Sequence, residues 1–242
     1  MNAARPSPVV LGITGASGAV YARRLLEVLL ALGRDVHLVI SPSAKLVFQE
    51  ELGLTLNLDR GDPAECLGAL LAGTSVDPAA GRVSPPGFAP AAAHHGPVGV
   101  VRMHHHQDFM APVASGSFLT SGMVICPCSG GTLSGVVHAA SGNLIQRAAD
   151  VHLKERRKLI LVPRETPLSI PQLDNLKRAA EAGAVVLPAM PGWYHGVRTL
   201  QDLVDFIVAR ILDQLGVEHR LMKRWGTPTR DGAGDAAGGD AC

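Results

Sequence analysis

In Val9-Val-Leu-Gly-Ile-Thr-Gly-Ala-Ser-Gly18, an apolar run of strand length passes directly into a glycine-rich turn. Beyond the turn, apolar side chains recur at the spacing of one helix face, at Tyr21, Leu25, Val28, Leu29 and Leu32. Gly33 then supplies a C-terminal stop signal. A strand, a tight turn and a helix in this order predict the first βα unit of a parallel sheet.

The same alternation continues along the chain. Further strands are predicted at Val36–Ile40, Val98–Arg102, Met123–Cys126, Lys158–Val162 and Ala184–Leu187. Helices are predicted at Ser43–Leu52, Gly131–Ala139, Asn143–Arg156, Pro171–Ala182 and Leu200–Leu215. Strands that alternate with helices indicate an α/β fold, with a parallel sheet covered by helices on both faces.

Length and composition indicate one globular domain, which we place at residues 9–225 of 242. Nine of the 25 residues in Gly73–Pro97 are Gly or Pro, so this segment is predicted to be a loop or disordered insert. Residues 1–8 and the Gly-, Ala- and Asp-rich tail 226–242 are predicted to be disordered.

Charge and hydropathy exclude several function classes. The chain has 22 Lys and Arg against 21 Asp and Glu, a net charge of +1, which leaves no broad basic field for nucleic acid or an anionic membrane. We find no apolar run of the ~18 residues that a membrane span needs, and no signal peptide pattern. A cytoplasmic location is therefore expected. Four cysteines make no disulfide framework in a chain of this size.

The turn Gly12–Gly18 is a candidate anion site, because a helix N-terminus offers unpaired N–H groups and glycines let a phosphate approach them. Ser17 adds a hydroxyl or a helix cap. The glycines at 12, 15 and 18 depart from the dinucleotide fingerprint, and Ser41 stands where an acidic residue would end the second strand. A mononucleotide ligand and an ordinary tight turn both stay open.

A second turn, Cys128-Ser-Gly-Gly-Thr132, repeats this pattern after the strand Met123–Cys126. Two such turns at the carboxyl ends of parallel strands can converge on one ligand, although a routine βα turn explains each alone. Cys126 and Cys128 lie in an apolar run and are interpreted as buried small residues rather than zinc ligands.

Charged and aromatic residues follow two later strands. Arg164 and Glu165 lie at the predicted end of a buried strand, where a guanidinium beside a carboxylate suits phosphate binding and proton transfer. Arg147 and Lys154 are seven residues apart, hence on one helix face, although a solvated helix end explains Lys154-Glu-Arg-Arg157 equally well. The aromatics of Pro191-Gly-Trp-Tyr-His195 could flank a flat ring or an isoprenoid chain, or pack in the core.

Two histidine runs, His94-His95 and His104-His105-His106, resemble the composition of metal sites. They lie in or beside the Gly- and Pro-rich insert, without a carboxylate or cysteine at ligand spacing. We therefore predict no functional metal site there.

Together these motifs resemble the UbiX-type flavin prenyltransferases. The combination of GASG, ASGS, LKERR, PRE and a Tyr-His pair carries the resemblance, which extends from Val9 to Trp225. It implies a three-layer, Rossmann-like or flavodoxin-like sheet and a homo-oligomer, typically a dodecamer. It also implies that a dimethylallyl group moves from dimethylallyl phosphate to N5 and C6 of reduced FMN without a metal. The prenylated FMN would pass to a UbiD-type decarboxylase.

The resemblance also assigns residues by their match to the family motifs. It implies FMN contacts at Gly15, Ala16, Ser17, Ser41, Ser115, Ser129, Gly130, Gly131, Thr132 and Arg164. It implies contacts with the dimethylallyl phosphate at Tyr194, Arg210, Arg147 and Lys154, and catalytic roles for Glu165, Lys154 and Ser17. Several of these positions lie at subunit interfaces in the family, so a single chain is expected to hold an incomplete site.

The chain departs from the family pattern at Phe109, where a Trp is common, and in the long Gly73–Pro97 segment. Two other functions stay open at this point. A flavin-dependent cysteine decarboxylase would share the first turn but carry Pro-x-Met-Asn, whereas Pro191 follows Met190 here. A non-catalytic flavin-binding protein is the other, and the intact charged residues argue against it.

Overall fold

The structure is a computed structural model that describes residues 6–58, 63–71, 75–77, 82–84, 98–222 and 224. Its strands are β1 (Val9–Ile13), β2 (Val36–Ile40), β3 (Ser75–Asp77), β4 (Arg82–Ser84), β5 (Val101–His104), β6 (Gly122–Cys128), β7 (Leu159–Pro163) and β8 (Val185–Val186). Its helices are α1 (Ala19–Ala31), α2 (Pro42–Leu52), α3 (Pro63–Leu70), α4 (Gly130–Val137), α5 (Leu144–Lys154), α6 (Ile170–Glu181) and α7 (Leu200–Leu215).

Six strands form one parallel sheet in the order β5-β2-β1-β6-β7-β8. With the small β3–β4 hairpin set aside, this is the order of the Rossmann form of the doubly wound sheet, which confirms the predicted fold class. The chain winds outward in both directions from β1 and β6, so a crevice opens at the carboxyl ends of these two strands. The two glycine-rich turns follow those strand ends.

The two sheet faces bury different helices because side chains alternate along each strand. Val9, Leu11 and Ile13 pack in one apolar core with residues of α1, α2, α3 and α7. Val10, between them in sequence, packs in a second core with residues of α4, α5 and α6. The three-layer arrangement predicted from the sequence is therefore present, and the core on the α1 and α7 face is the larger of the two.

The bounds of β1, β2 and α7 agree with the prediction, and the other predicted elements shift by one to three residues. The prediction lacks three described elements, one helix and two strands. Helix α3 buries Cys66 and Leu70 and was left unassigned. The strands β3 and β4 pair antiparallel inside the Gly73–Pro97 segment, which was predicted to lack regular structure.

The chain ends lie mainly outside the described residues. Residues 1–5 and 225–242 are not described, so the disorder predicted for both ends stays a prediction. Close to the start, the Pro8 carbonyl accepts a hydrogen bond of 2.9 Å from the Ser121 N–H. Among the described helices, none combines the length and the apolar character that crossing a membrane requires.

A buried ion pair joins the first and last helices. The Arg24 guanidinium, 3% exposed, donates to both carboxylate oxygens of Asp205 at 2.7 and 3.2 Å. Glu27, 4% exposed, lies 3.8 Å from the same guanidinium. Burial raises the pKa of Glu27, and the neighbouring guanidinium groups oppose that rise. Arg24 therefore compensates two carboxylates that are largely withdrawn from water.

Replacing Arg24 with Met should lower the free energy of unfolding by about 3–5 kcal/mol, because it leaves buried charge without a partner. The exposed pair of Lys177 and Glu181, 3.6 Å apart, provides the control. Lys177→Met should change stability by less than about 0.5 kcal/mol. Chemical denaturation at one protein concentration measures both, and equal losses in the two variants would contradict the account.

Candidate functional site

The first turn packs directly against the start of α2. A Cβ placed on Gly15 would lie 2.5 Å from Cβ and Oγ of Ser43, so only glycine allows this approach. Ser41 caps α2, because its Oγ accepts a hydrogen bond of 3.3 Å from the Ala44 N–H. The predicted residues Gly15 and Ser41 are thereby brought side by side, with the buried Ala16 next to them.

The buried hydroxyl of Thr14 ties this turn to the end of β6. Its Oγ1 donates to the Pro127 carbonyl at 2.8 Å and accepts the Ser129 N–H at 2.8 Å. The Thr14 N–H also donates to the Pro127 carbonyl, at 3.3 Å. We call this three-bond contact the Thr14 clamp. It holds the two glycine-rich turns together, as their position at the switch point predicted.

The second turn opens the N-terminus of α4. Ser129 caps the helix by accepting the Thr132 N–H at 3.3 Å, and its hydroxyl donates to the Thr132 hydroxyl at 3.1 Å. Within the described ranges, the N–H groups of Gly130 and Gly131 have no hydrogen-bond acceptor. A Cβ on Gly131 would meet open space. The start of α4 can therefore accept an anion from solvent.

Arg164 and Glu165 follow β7 at the same edge of the sheet. Nε of Arg164 donates to the Ser17 carbonyl at 3.3 Å, which links β7 to the first turn. The exposed Glu165 carboxylate accepts the side-chain amide of Gln172 at 3.5 Å and the Thr166 N–H at 3.3 Å. Gln172 also lies beside Gly130, so Glu165 stands close to the start of α4.

A carboxylate that the sequence analysis missed closes the N-terminus of α1. Glu51, at the end of α2, accepts the Gly18 N–H at 2.9 and 3.0 Å and the Ala19 N–H at 2.8 Å. Ser17 does not cap α1, although a cap was one of its predicted roles. Glu51 already occupies the Gly18 and Ala19 N–H groups, so an anion at the first turn would need other donors.

Arg147, Lys154 and Ser115 form a separate group on α5 and the segment before β6. Arg147 donates from Nε to the Ala114 carbonyl at 3.2 Å and pairs with Asp150 at 3.0 Å. Lys154 pairs with Glu155 at 2.6 Å, and a Cβ on Gly116 would lie 3.1 Å from its Nζ. Both cations keep substantial exposure, at 35% and 47% of the side chain.

Tyr194 and Arg210 form a third group along α7. The rings of Tyr194 and Phe206 meet edge to face, with centroids 5.8 Å apart. Arg210 donates to Asp213 at 2.9 Å and lines a groove of about 280 Å³ between β8 and α7. A smaller pocket of about 60 Å³ beside Glu165 shares Pro188 and Met190 with this groove.

The predicted site residues therefore occupy three places in the chain. The glycine-rich turns, Arg164 and Glu165 share the carboxyl edge of the sheet. Lys154 ends α5 shortly before β7 begins, which places it toward the opposite, amino edge. Tyr194 and Arg210 flank the end strand β8. One chain does not bring all of them together.

The cysteines and the histidine runs singled out in the sequence lie outside these three groups. Cys126 and Cys128 are buried, and burial raises the pKa of Cys128 to about 12. His94 and His95 lie outside the described residues. His104 stacks on His37, and Nε2 of His104 lies 2.8 Å from Nδ1 of His37. In the part of the chain that is described, no group of three or more His, Cys, Asp or Glu could hold a metal.

Comparison with known proteins agrees with this arrangement. The profile of the Flavoprotein family matches residues 2–212. A flavin prenyltransferase UbiX from Alkalihalophilus pseudofirmus is 46% identical over 218 residues, 90% of this chain and 96% of that protein. The chain belongs to the UbiX family of flavin prenyltransferases.

Two solved structures of the UbiX family are similar in fold and sequence. AnUbiX (PadA1), crystallised with FMN and dimethylallyl pyrophosphate, has a TM-score of 0.72 and 34% identity, over 93% of this chain and all of that one. A dodecameric FMN-dependent UbiX-like decarboxylase from Escherichia coli O157:H7 has a TM-score of 0.68 and 35% identity, over 88% and 96%. The cysteine decarboxylase TvaF shares only the fold, at 14% identity and a TM-score of 0.50.

Replacing Thr14 with Val should lower the free energy of unfolding by about 1–3 kcal/mol, because the Ser129 N–H loses its acceptor and the buried Pro127 carbonyl keeps only the longer bond from the Thr14 N–H. Thr55 is the matched control, since its exposed hydroxyl makes one hydrogen bond of 2.6 Å to Gln49. Denaturation curves for Thr14→Val and Thr55→Val should separate clearly. Overlapping curves would show that the Thr14 clamp contributes nothing.

Proposed function

We propose that this chain transfers a dimethylallyl group from dimethylallyl phosphate to N5 and C6 of reduced FMN, giving prenylated FMN. The single observation that carries the proposal is the carboxyl-edge site, where the Thr14 clamp holds two glycine-rich turns beside Arg164 and Glu165. The UbiX relatives named above support the same reaction class.

The residues at the carboxyl edge fit FMN. The phosphate group needs unpaired donors, and the Gly130 and Gly131 N–H groups and the Ser41 hydroxyl lie at that edge. Glu51 occupies the α1 N–H groups, so the phosphate would avoid that helix end and use the starts of α2 and α4. Arg164 would add the nearest fixed positive charge.

When bound, reduced FMN supplies the nucleophilic ring atoms, and the protein supplies charge, shape and proton transfer. Arg147, Lys154 and Arg210 would neutralise the departing phosphate, since fixed cations stabilise charge that grows on a leaving group. Glu165 would carry a proton, first to that phosphate. Tyr194 and its aromatic neighbours would exclude water and line the path of the allylic group.

We propose that the complete site needs several copies of the chain. Glu165, Lys154 and Arg210 lie in three separate places of one chain, yet the reaction requires them around one phosphate. The UbiX-like decarboxylase from E. coli is dodecameric, which supports a homo-oligomer of this kind. Large exposed apolar side chains, among them Met110 at 92% and Ile170 at 76%, suit burial between copies.

The product, prenylated FMN, would pass to a UbiD-type decarboxylase that accepts it.

The direct test of the reaction incubates purified protein with reduced FMN and dimethylallyl phosphate without oxygen, followed by mass analysis of the extracted flavin. A flavin heavier by one prenyl group supports the proposal. Unmodified FMN, both with this donor and with dimethylallyl pyrophosphate, would overturn it in favour of cysteine decarboxylation or flavin binding alone.

Glu165→Gln should leave FMN affinity unchanged but slow product formation by at least ~10²-fold, the usual contribution of a general acid or base. The amide keeps the size of the side chain and its contact with Gln172 while it removes the titrating proton. Glu181→Gln, at the far end of α6, is the control and should turn over like the wild type. An unchanged rate in Glu165→Gln would remove Glu165 from the mechanism.

A further inference from the structure

A network of one carboxylate and three basic side chains closes the C-terminal end of α7. Asp213 accepts from Nη1 of Arg210 at 2.9 Å through its Oδ2. Its Oδ1 accepts from Nε2 of His219 at 3.0 Å and from Nη2 of Arg224 at 2.8 Å. The segment after α7 therefore folds back onto the residue that holds Arg210.

His219 is the most buried partner of Asp213 in this network. Its side chain is only 2% exposed, and its Nδ1 accepts the Leu221 N–H at 3.4 Å. Both contacts are satisfied by the tautomer that carries its proton on Nε2, because Nδ1 is then free to accept. His219 thus fixes one side of the Asp213 carboxylate.

Asp213 is shared between Arg210 and Arg224, and this sharing determines how much positive charge beside the groove stays uncompensated. Burial raises the pKa of Asp213, but hydrogen bonds from Arg224 and His219 outweigh it, and the pKa lies below its usual value. Asp213 is therefore ionised at neutral pH. With two arginines and one carboxylate, the trio of Arg210, Asp213 and Arg224 has a net charge of +1.

Arg210 is placed to use that charge. Its side chain is 45% exposed, and it lines the groove of about 280 Å³ together with apolar residues of β8 and α7. One Nη1 contact to Asp213 fixes the plane of the guanidinium and leaves its other N–H groups available to a phosphate. The apolar wall beside it suits a short isoprenoid chain.

We propose that Asp213 is a positioning residue that orients Arg210 toward dimethylallyl phosphate, while Arg224 keeps Asp213 from neutralising it. This inference rests on the proposed function, in which Arg210 meets the phosphate. It adds that the affinity for dimethylallyl phosphate depends on the segment after α7, because His219 and Arg224 of this segment hold the Asp213 carboxylate. None of the residues assigned to the FMN phosphate is among these partners of Asp213, so FMN affinity should stay unchanged.

The test compares Asp213→Asn with Glu218→Gln. Each removes one negative charge from the same region, but Glu218 is exposed and has no contact with Arg210 among the described residues. Asp213→Asn should raise the KM for dimethylallyl phosphate roughly tenfold, with kcat and FMN affinity near wild type, because an oriented charge-assisted hydrogen bond is lost. Glu218→Gln should keep the wild-type KM. Calorimetric titration of dimethylallyl phosphate into FMN-loaded protein should show the same difference in Kd.

Arg224→Gln tests the charge balance separately. It leaves Asp213 to Arg210 alone and should also weaken donor binding at low ionic strength, where exposed charges are least screened. An unchanged or lower KM in Asp213→Asn would overturn the positioning role, and so would a fall in kcat without a change in KM. An unchanged KM in Arg224→Gln would overturn the role of Arg224. If the wild-type chain neither binds nor consumes the donor, the proposed function itself fails.

Discussion

The Thr14 clamp is the contact on which the candidate site depends. One buried hydroxyl donates to the Pro127 carbonyl and accepts the Ser129 N–H, so it fixes the turn after β1 against the turn after β6. A doubly wound sheet opens a crevice at this point, but the crevice alone does not align two backbone turns. The Thr14 clamp supplies that alignment and sets where the starts of α2 and α4 face the ligand.

The other charged residues of the predicted site lie on separate elements, and the cost of burying charge gives a physical reason for this. Cations and carboxylates gathered in one buried pocket would neutralise each other and pay a large desolvation cost. Here Arg147, Lys154 and Arg210 each pair with a nearby acidic residue and stay partly exposed. Assembly of several chains would then bring their free N–H groups to one phosphate.

The sequence predicted those parts of the fold that depend on local patterns. The bounds of β1 and β2 follow from short apolar runs between turn residues. The Thr14 clamp and the Glu51 contact were not predicted, because their partners are 113 and 33 residues apart in sequence. No spacing rule connects such positions. The roles of the site residues rest on family resemblance and stay predictions.

If one working site combines residues of different chains, mixed oligomers of two inactive variants should regain activity. Glu165→Gln and Lys154→Ala should each be inactive alone, since one alters the carboxyl edge and the other alters α5. Dissociated and reassembled together in equal amounts, they should recover roughly a quarter of wild-type prenylated FMN formation, because some sites then receive both intact residues. Recovery of no activity, with mixed assembly verified by mass, would show that each chain carries its own complete site and would contradict the account.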